Sequence, residues 1–96
     1  MEKKDLEASR AKSRQALLNM ARGYEKDPAK VNHAVAAYKE VIAIDPDSKE
    51  ADEARDSILR IAQRLEREGK KYAAHHLYQQ IARELPSRLE KYPLKY

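Results

Sequence analysis

The sequence predicts an all-α protein made of two antiparallel helical hairpins that stack on each other. Ala, Glu, Lys, Arg and Leu dominate the 96 residues, with only two Gly and four Pro, as in helical domains. Apolar residues recur at helical spacing, and Asp, Ser, Gly and Pro separate these stretches. One helical pattern also occurs twice, which is typical of repeat architectures.

The repeat is clearest between residues 34–46 and 74–86. Four positions recur 40 residues apart, as Ala34 and Ala74, Tyr38 and Tyr78, Val41 and Ile81, and Pro46 and Pro86. Three positions upstream recur 41 residues apart, as Leu17 and Ile58, Ala21 and Ala62, and Tyr24 and Leu65. Each unit is therefore predicted to be a helix, a turn, a second helix and a proline.

This pattern of small, aromatic and aliphatic residues resembles the tetratricopeptide repeat (TPR). The resemblance covers about residues 15–86, as units 15–46 and 47–86. It implies a short TPR-like right-handed solenoid that scaffolds protein–protein contacts. Residues 1–14 would form a charged N-terminal helical extension, and residues 87–96 a C-terminal tail.

The first helix is predicted over residues 2–24, and Gly23 weakens its last turn. Its apolar face holds Leu6, Leu17, Ala21 and Tyr24, with Leu18 and Met20 beside it. Asp27 and Pro28 predict the start of the second helix, because Asp can cap free amides and Pro at the first position loses no hydrogen bond.

The second helix is predicted to reach about Ile44, before the stop at Pro46. Its inward stripe is Val31, Ala34, Val35, Tyr38, Val41 and Ile42. Asp47 and Ser48 open the third helix, where Asp47 and Glu50 have the spacing of a capping box. Its inward residues are Ala51, Ala54, Ile58, Ile61, Ala62 and Leu65, and Gly69 is a left-handed cap.

The fourth helix is predicted over about Lys70–Leu85, and Pro86 stops it. Its inward residues are Ala74, Leu77, Tyr78, Ile81 and Leu85. The TPR pattern has a large apolar residue where Lys71 stands, and we expect Tyr72 to substitute for it. The tail holds Leu89, Tyr92, Leu94 and Tyr96, so we expect it to pack on the fourth helix or on a neighbouring molecule.

The resemblance also implies a partner-binding groove lined by the first helix of each hairpin. From the first unit this groove would hold Gln15, Leu18, Asn19, Arg22 and Lys26. From the second it would hold Asp56, Leu59, Arg60, Gln63 and Arg67. Leu18 and Arg22 stand where family members that grip a peptide carboxylate have Lys and Asn, which argues against such a clamp. The three arginines could hold acidic side chains by forked hydrogen bonds.

The charge of +4 is unevenly distributed along the chain. Residues 1–26 carry +3, residues 27–56 carry −4, and residues 57–96 carry +5. This asymmetry favours an acidic partner or the docking of a second copy, although solvated helix faces also explain it. Two repeats leave apolar surface that the N-terminal helical extension, the tail or self-association could cover. We expect a homo-oligomer, with a dimer the commonest form.

Nucleic-acid binding is the alternative function. Basic residues cluster around one helix end as Arg60, Arg64, Arg67, Lys70 and Lys71, and such patches attract phosphates. Glu66 and Glu68 interrupt the cluster, and no nucleic-acid-binding motif accompanies it.

No motif predicts catalysis or a cofactor. The adjacent His75 and His76 point about 100° apart on a helix, so they do not converge on a metal. No Gly-rich loop precedes a helix. The chain has no Cys and no apolar run of about 20 residues, and we do not expect the charged residues 1–14 to act as a signal peptide, because they lack an apolar core. We therefore expect a soluble, non-enzymatic cytoplasmic protein, or a periplasmic one if the chain is an excised domain.

Overall fold

Four α-helices make up the described part of the protein, as the sequence predicts. The computed structural model describes the backbone of residues 3–84 and the side chains of residues 6–83. Within that range the chain forms α1 (Lys3–Glu25), a short 3₁₀ turn (Pro28–Lys30), α2 (Val31–Ile44), α3 (Lys49–Arg67) and α4 (Lys71–Glu84), with no strand. The predicted contributions of Leu85, Pro86 and the tail lie outside the described residues.

The helices pack in chain order. α1 packs on α2, α2 on α3, and α3 on α4, and α3 also touches α1. The α4 backbone approaches only α3 among the described helices. The backbones of α2 and α4 therefore stay apart, and α3 lies between the first two helices and the last.

The start of α2 follows the predicted cap. The Asp27 backbone is extended, and its Oδ1 accepts a hydrogen bond from the Ala29 amide at 2.9 Å. Pro28 then opens a 3₁₀ turn rather than an α-helix, and α2 itself begins at Val31. The predicted start at Pro28 is thus right for the turn, and early by three residues for the α-helix.

The start of α3 corrects the prediction for Asp47. The cap is Ser48, whose Oγ accepts from the Ala51 amide at 3.1 Å and donates to the Asp45 carbonyl at 2.7 Å. Asp47 instead donates its backbone N–H to Asp45 Oδ1 at 3.1 Å. A cap satisfies the amide two or three residues ahead, and because α3 begins at Lys49, Ser48 rather than Asp47 stands at that position.

The end of α3 confirms the role predicted for Gly69. Its φ of 83° is left-handed, which favours glycine. Its amide donates to the Glu66 carbonyl at 3.0 Å, and the Lys70 amide donates to the Leu65 carbonyl at 2.9 Å. These two bonds form a Schellman motif, which satisfies carbonyls that the helix end leaves open.

A single core runs between the helices, and Tyr38 is completely buried in it. All six predicted inward residues of α3 are buried, as are five of the six of α2, with Val31 partly buried. On α1 the buried hydrophobic residues are Leu18 and Ala21, whereas Leu6 and Met20 are nearly half exposed. On α4 the core takes Ala74, Leu77 and Ile81, with Tyr78 at its edge.

Tyr72 contradicts its predicted inward role, because it is 94% exposed. It lies two positions before the buried Ala74, about 200° around the helix, so α4 turns it to solvent. Arg55 is the opposite case: it is completely buried, donates to the Pro46 carbonyl at 2.6 Å and pairs with Asp52 at 3.0 Å.

Candidate protein-binding surfaces

The predicted groove residues lie along adjoining stripes of α1 and α3. We call the surface that these stripes form the α1–α3 face; it spans residues 15–26, at the end of α1 and in the turn after it, and the side of α3 that carries Glu53, Asp56, Arg60, Gln63 and Arg67. Most of the predicted residues are exposed on it: Gln15, Asn19, Arg22, Lys26, Asp56, Arg60, Gln63 and Arg67. Two ion pairs, one for each of Arg22 and Arg60, connect the stripes.

Leu18 has to be removed from the predicted groove. It is 1% exposed and belongs to the core with Ala21. It lies one turn before Ala21 on the side of α1 that meets the other helices, so a partner cannot reach it without opening the core. Leu59 is half-buried and packs against the core, so it offers only an edge to this face.

A polar chain runs along α1 and crosses to α3. Gln15 donates to Asn19 Oδ1 at 3.2 Å, and Arg22 Nη1 donates to the same oxygen at 3.4 Å. The other end of the guanidinium, Arg22 Nη2, lies 2.6 Å from Glu53 Oε2. Both side chains of this pair are about half exposed, so water screens their attraction.

Glu25 is the centre of the second link. Arg60 grips its carboxylate with Nε and Nη2, at distances of 3.0 to 3.2 Å. The hydroxyl of Tyr38 donates to Glu25 Oε1 at 2.6 Å. One carboxylate thus joins α1, α2 and α3. The predicted forked hydrogen bond is present, but its acceptor is a residue of the chain itself.

The same contacts raise the pKa of Tyr38 to about 12. Burial of the phenol is the largest cause, because the charged phenolate would lose its hydration. The hydrogen bond to Glu25 adds to it, since only the protonated hydroxyl can donate. Tyr38 is therefore a neutral hydrogen-bond donor across the physiological range.

Sequence reasoning missed Glu25 and Glu53 as members of this face. Glu25 lies 35 residues from Arg60 along the chain, and Glu53 lies 31 residues from Arg22. Helical spacing predicts neighbours within one helix, not the register between two helices. The spacing between the two repeats does not show which residues of α1 lie opposite which residues of α3.

A second charged cluster ties α1 to the start of α3. Arg14 is 4% exposed, and its guanidinium lies 3.0 Å from Glu7, 3.0 Å from Glu50 and 3.7 Å from Asp45. Burial by itself would raise the pKa of Glu50, but the hydrogen bond and charge of Arg14 outweigh it and hold that pKa below its ordinary value. The cluster is a structural clasp, since its members bond each other.

A groove that the sequence did not predict lies between α2 and α4. It consists of two adjoining cavities of about 290 and 280 Å³. Both are lined by Val31, Asn32, Leu65 and Ala73. The first also reaches Val35, Ala36, Lys39, His76, Leu77 and Gln80, and the second Pro28, Ala29, Arg64, Glu68 and Lys70. We call this surface the α2–α4 groove.

The predicted basic cluster is divided between these surfaces. Arg60 lies on the α1–α3 face, bound to Glu25, whereas Arg64 and Lys70 line the α2–α4 groove. Lys70 also lies 3.7 Å from Glu68. The five cations therefore do not all point the same way.

The histidines do not gather at one point. His33 packs its ring on Tyr24, with ring centres 5.4 Å apart. His75 and His76 are both exposed, and His76 alone of the two lines the α2–α4 groove. Over residues 6–83, no group of three or more His, Asp or Glu side chains is placed to hold a metal ion.

Comparisons with known proteins leave these surfaces to be interpreted from their own geometry. No protein-family model, no curated protein and no solved structure matches the chain. Among the described helices, none combines the length and apolar character needed to cross a membrane.

Proposed function

We propose that this chain is a non-catalytic protein-binding module that uses the α1–α3 face. Its architecture would be two TPR-like helical hairpins, α1 with α2 and α3 with α4, stacked as a short right-handed solenoid. The packing of α1 on α2, of α3 on α4, and of α2 on α3 supports this arrangement. So does the recurrence of Tyr38 and Tyr78 at the core side of α2 and α4.

One observation carries the proposal: the ion pairs Arg22–Glu53 and Arg60–Glu25 lay two exposed polar stripes side by side. Their guanidiniums already hold carboxylates, so their orientation suits acidic side chains of a partner. The Arg22–Glu53 pair is about half exposed, and exposed ion pairs contribute only about 0–1 kcal/mol to stability, so a partner's carboxylate can share or replace Glu53 at small cost. Lys26 and Arg67, exposed at the same end, extend the basic character.

The partner class that fits best is therefore an acidic peptide segment of another protein. Asn19 and Gln63 add amides that can donate to and accept from a peptide backbone. A solenoid face of this kind binds an extended or helical segment over several turns.

Selection from a displayed peptide library, followed by amide-shift mapping, tests this function. We expect enriched peptides to be acidic and the largest shifts to fall within residues 15–26 and 53–67. The double change Arg22→Glu with Arg67→Glu should abolish binding, because it reverses two charges on the face. Lys49→Glu, an exposed change at the start of α3, is the matched control.

The same measurements can also favour the alternative function, nucleic-acid binding. If no peptide is enriched and the chain binds any duplex with a steep dependence on salt, the nucleic-acid function replaces this one. Shifts confined to other residues would remove the α1–α3 face from the proposal.

Self-association is a second mode of the same proposal. A two-hairpin solenoid leaves an apolar end on each side, and a second copy can cover it. Light scattering at several protein concentrations should then show a mass above that of one chain, 11.1 kDa. A constant monomer mass would exclude this mode.

A further inference from the structure

We propose that the α2–α4 groove is a second binding site, which takes a short acidic amphipathic helix from another protein. This helix would place aliphatic side chains in the groove and carboxylates along its edges. The site is separate from the α1–α3 face, so the inference goes beyond the function proposed above and does not depend on it.

The floor of the groove is apolar and comes from three helices. Val35 of α2, Leu65 of α3 and Leu77 of α4 are 7–8% exposed and form this floor. Since the α2 and α4 backbones do not approach each other, α3 closes the bottom and leaves the top open. Aliphatic side chains from a partner would complete a core that the described helices leave open at this groove.

The walls are built from small residues. Ala36 on α2 and Ala73 on α4 are exposed and line opposite sides of the groove. With only a methyl group at these positions, a helix can approach both walls closely. The shared lining at Val31 and Leu65 places the two cavities side by side.

The length of the groove sets the size of the ligand. It extends along the chain from Pro28 to Lys39. At the rise of a helix this is about 17 Å, or roughly three turns. A ligand of about 12 residues, with apolar residues at i, i+3, i+4 and i+7, would span it.

The edges of the groove favour a negative ligand. The lining contains one acidic residue, Glu68, and three basic residues, Lys39, Arg64 and Lys70. The net charge of the lining is therefore positive. Complementary carboxylates on the flanks of the ligand would direct its approach and fix its register.

The chain offers poorer occupants of its own. Residues 85–96 contain Arg88, Lys91 and Lys95 against a single Glu90, so their positive charge opposes that of the lining. A second copy lacks the required apolar stripe in its described part. There the large exposed hydrophobic residues are Leu6, Met20 and Tyr72, which are distant in sequence and do not form one helical face.

Fluorescence anisotropy with a designed probe tests the proposal on the full chain. The probe is a labelled peptide of about 14 residues with Leu at i, i+3, i+4 and i+7 and Glu on both flanks. A second probe has every Glu changed to Lys. We expect saturable binding of the acidic probe and at least about tenfold weaker binding of the basic one.

Matched variants locate the binding. Ala36→Glu places a bulky negative group on the groove wall and should weaken the acidic probe at least about tenfold. Ala8→Glu makes the same change at an exposed alanine of α1, outside both proposed binding surfaces, and should leave it unchanged. Ala73→Glu is a second wall variant, and circular dichroism confirms that each variant is folded.

Three results would overturn the proposal. The first is an acidic probe that does not bind, or that binds Ala36→Glu and Ala73→Glu as well as the parent. The second is binding that appears only after Leu89→Ser and Tyr92→Ser, which would make residues 85–96 the occupant. The third is a dimer that Ala36→Glu dissociates, which would make a second copy the occupant.

Discussion

Tyr38 and Tyr78 hold equivalent positions in the repeat, yet their surroundings differ. Tyr38 is completely buried and donates to Glu25 at 2.6 Å. Tyr78 is half-buried at the edge of the core and donates to Glu66 at 3.1 Å in an exposed setting. The ring of Tyr38, on α2, lies between α1 and α3. Tyr78 lies on α4, the last described helix, so fewer described helices surround its ring.

Alanine substitutions at the two tyrosines should therefore have unequal costs. Tyr38→Ala leaves a cavity in the core and should lower the free energy of unfolding by about 3 kcal/mol or more. Tyr78→Ala removes a partly exposed ring and should cost about 1–2 kcal/mol. Urea denaturation of both variants measures the difference. Equal losses would mean that the two rings are equally enclosed.

The raised pKa of Tyr38 predicts alkaline destabilisation. The pKa is about 12 in the folded protein against an ordinary value of 10.0. Folding therefore favours the protonated hydroxyl. Its contribution to the free energy of unfolding is fully present below pH 10. It is lost as the pH rises through 12, by up to about 3 kcal/mol.

Tyr38→Phe isolates this contribution, because Phe keeps the ring and cannot ionise. Urea denaturation at pH 8 to 12 should show the parent losing more stability than Tyr38→Phe above pH 10. Tyr78→Phe is the control. Parallel stability curves for parent and Tyr38→Phe across pH 10 to 12 would contradict the prediction.

The helix ends show which local features can be predicted from sequence. Gly69 and Asp27 were recognised as caps, because both roles follow from bonds to residues close in sequence. The sequence does not distinguish Asp47 from Ser48 as the cap, because both residue types cap helices and the one-residue difference depends on the turn geometry. The inward stripes of α2 and α3 were predicted well, because periodicity identifies a face.

Contacts between helices were harder to predict. The prediction that Leu18 lines the groove is wrong. The side of α1 that packs in the core includes Leu18 as well as the predicted Leu17, Ala21 and Tyr24. The α2–α4 groove was missed because it depends on a gap between helices that no periodicity records. Arg55, completely buried, was missed because its binding to the Pro46 carbonyl follows from the turn.

The two glycines should respond oppositely to alanine. Gly69 has a φ of 83°, where a Cβ is strained, so Gly69→Ala should destabilise the protein by about 1 kcal/mol. Gly23 lies inside α1 with nothing within 4 Å of an added Cβ. Gly23→Ala should stabilise it by about 0.5–1 kcal/mol through helix propensity. Thermal melts measure both variants. If both melting temperatures shift in the same direction, the helix position assigned to one of the two glycines is wrong.

At the scale of the whole molecule, Arg14 joins the first helix to the third. Its buried guanidinium bonds Glu7 and Glu50, which are 7 and 36 residues away along the chain. Arg14→Met should cost about 3 kcal/mol near neutral pH, because Glu50 would remain buried without its partner. Arg22→Met removes an exposed pair and should cost less than about 1 kcal/mol.

The cost of Arg14→Met should also depend on pH. Arg14 holds the pKa of Glu50 below its ordinary value of 4.5, so the pair stabilises the fold above that pH. The contribution is lost as the pH falls through the lower, folded-state pKa. Denaturation of parent and Arg14→Met at pH 7 and pH 3 should therefore show the gap narrowing in acid. A gap that stays constant would mean that Glu50 is not its cause.

The position of α3 has a consequence for local opening. Because α3 touches each of the other described helices, its amides can meet solvent only when most of the core comes apart. Among the described helices, the α4 backbone approaches only α3, so α4 can lift away with fewer contacts broken. Deuterium should therefore enter α4 well before α3, and the slowest exchange should mark the middle of α3, near Ile58 and Ile61.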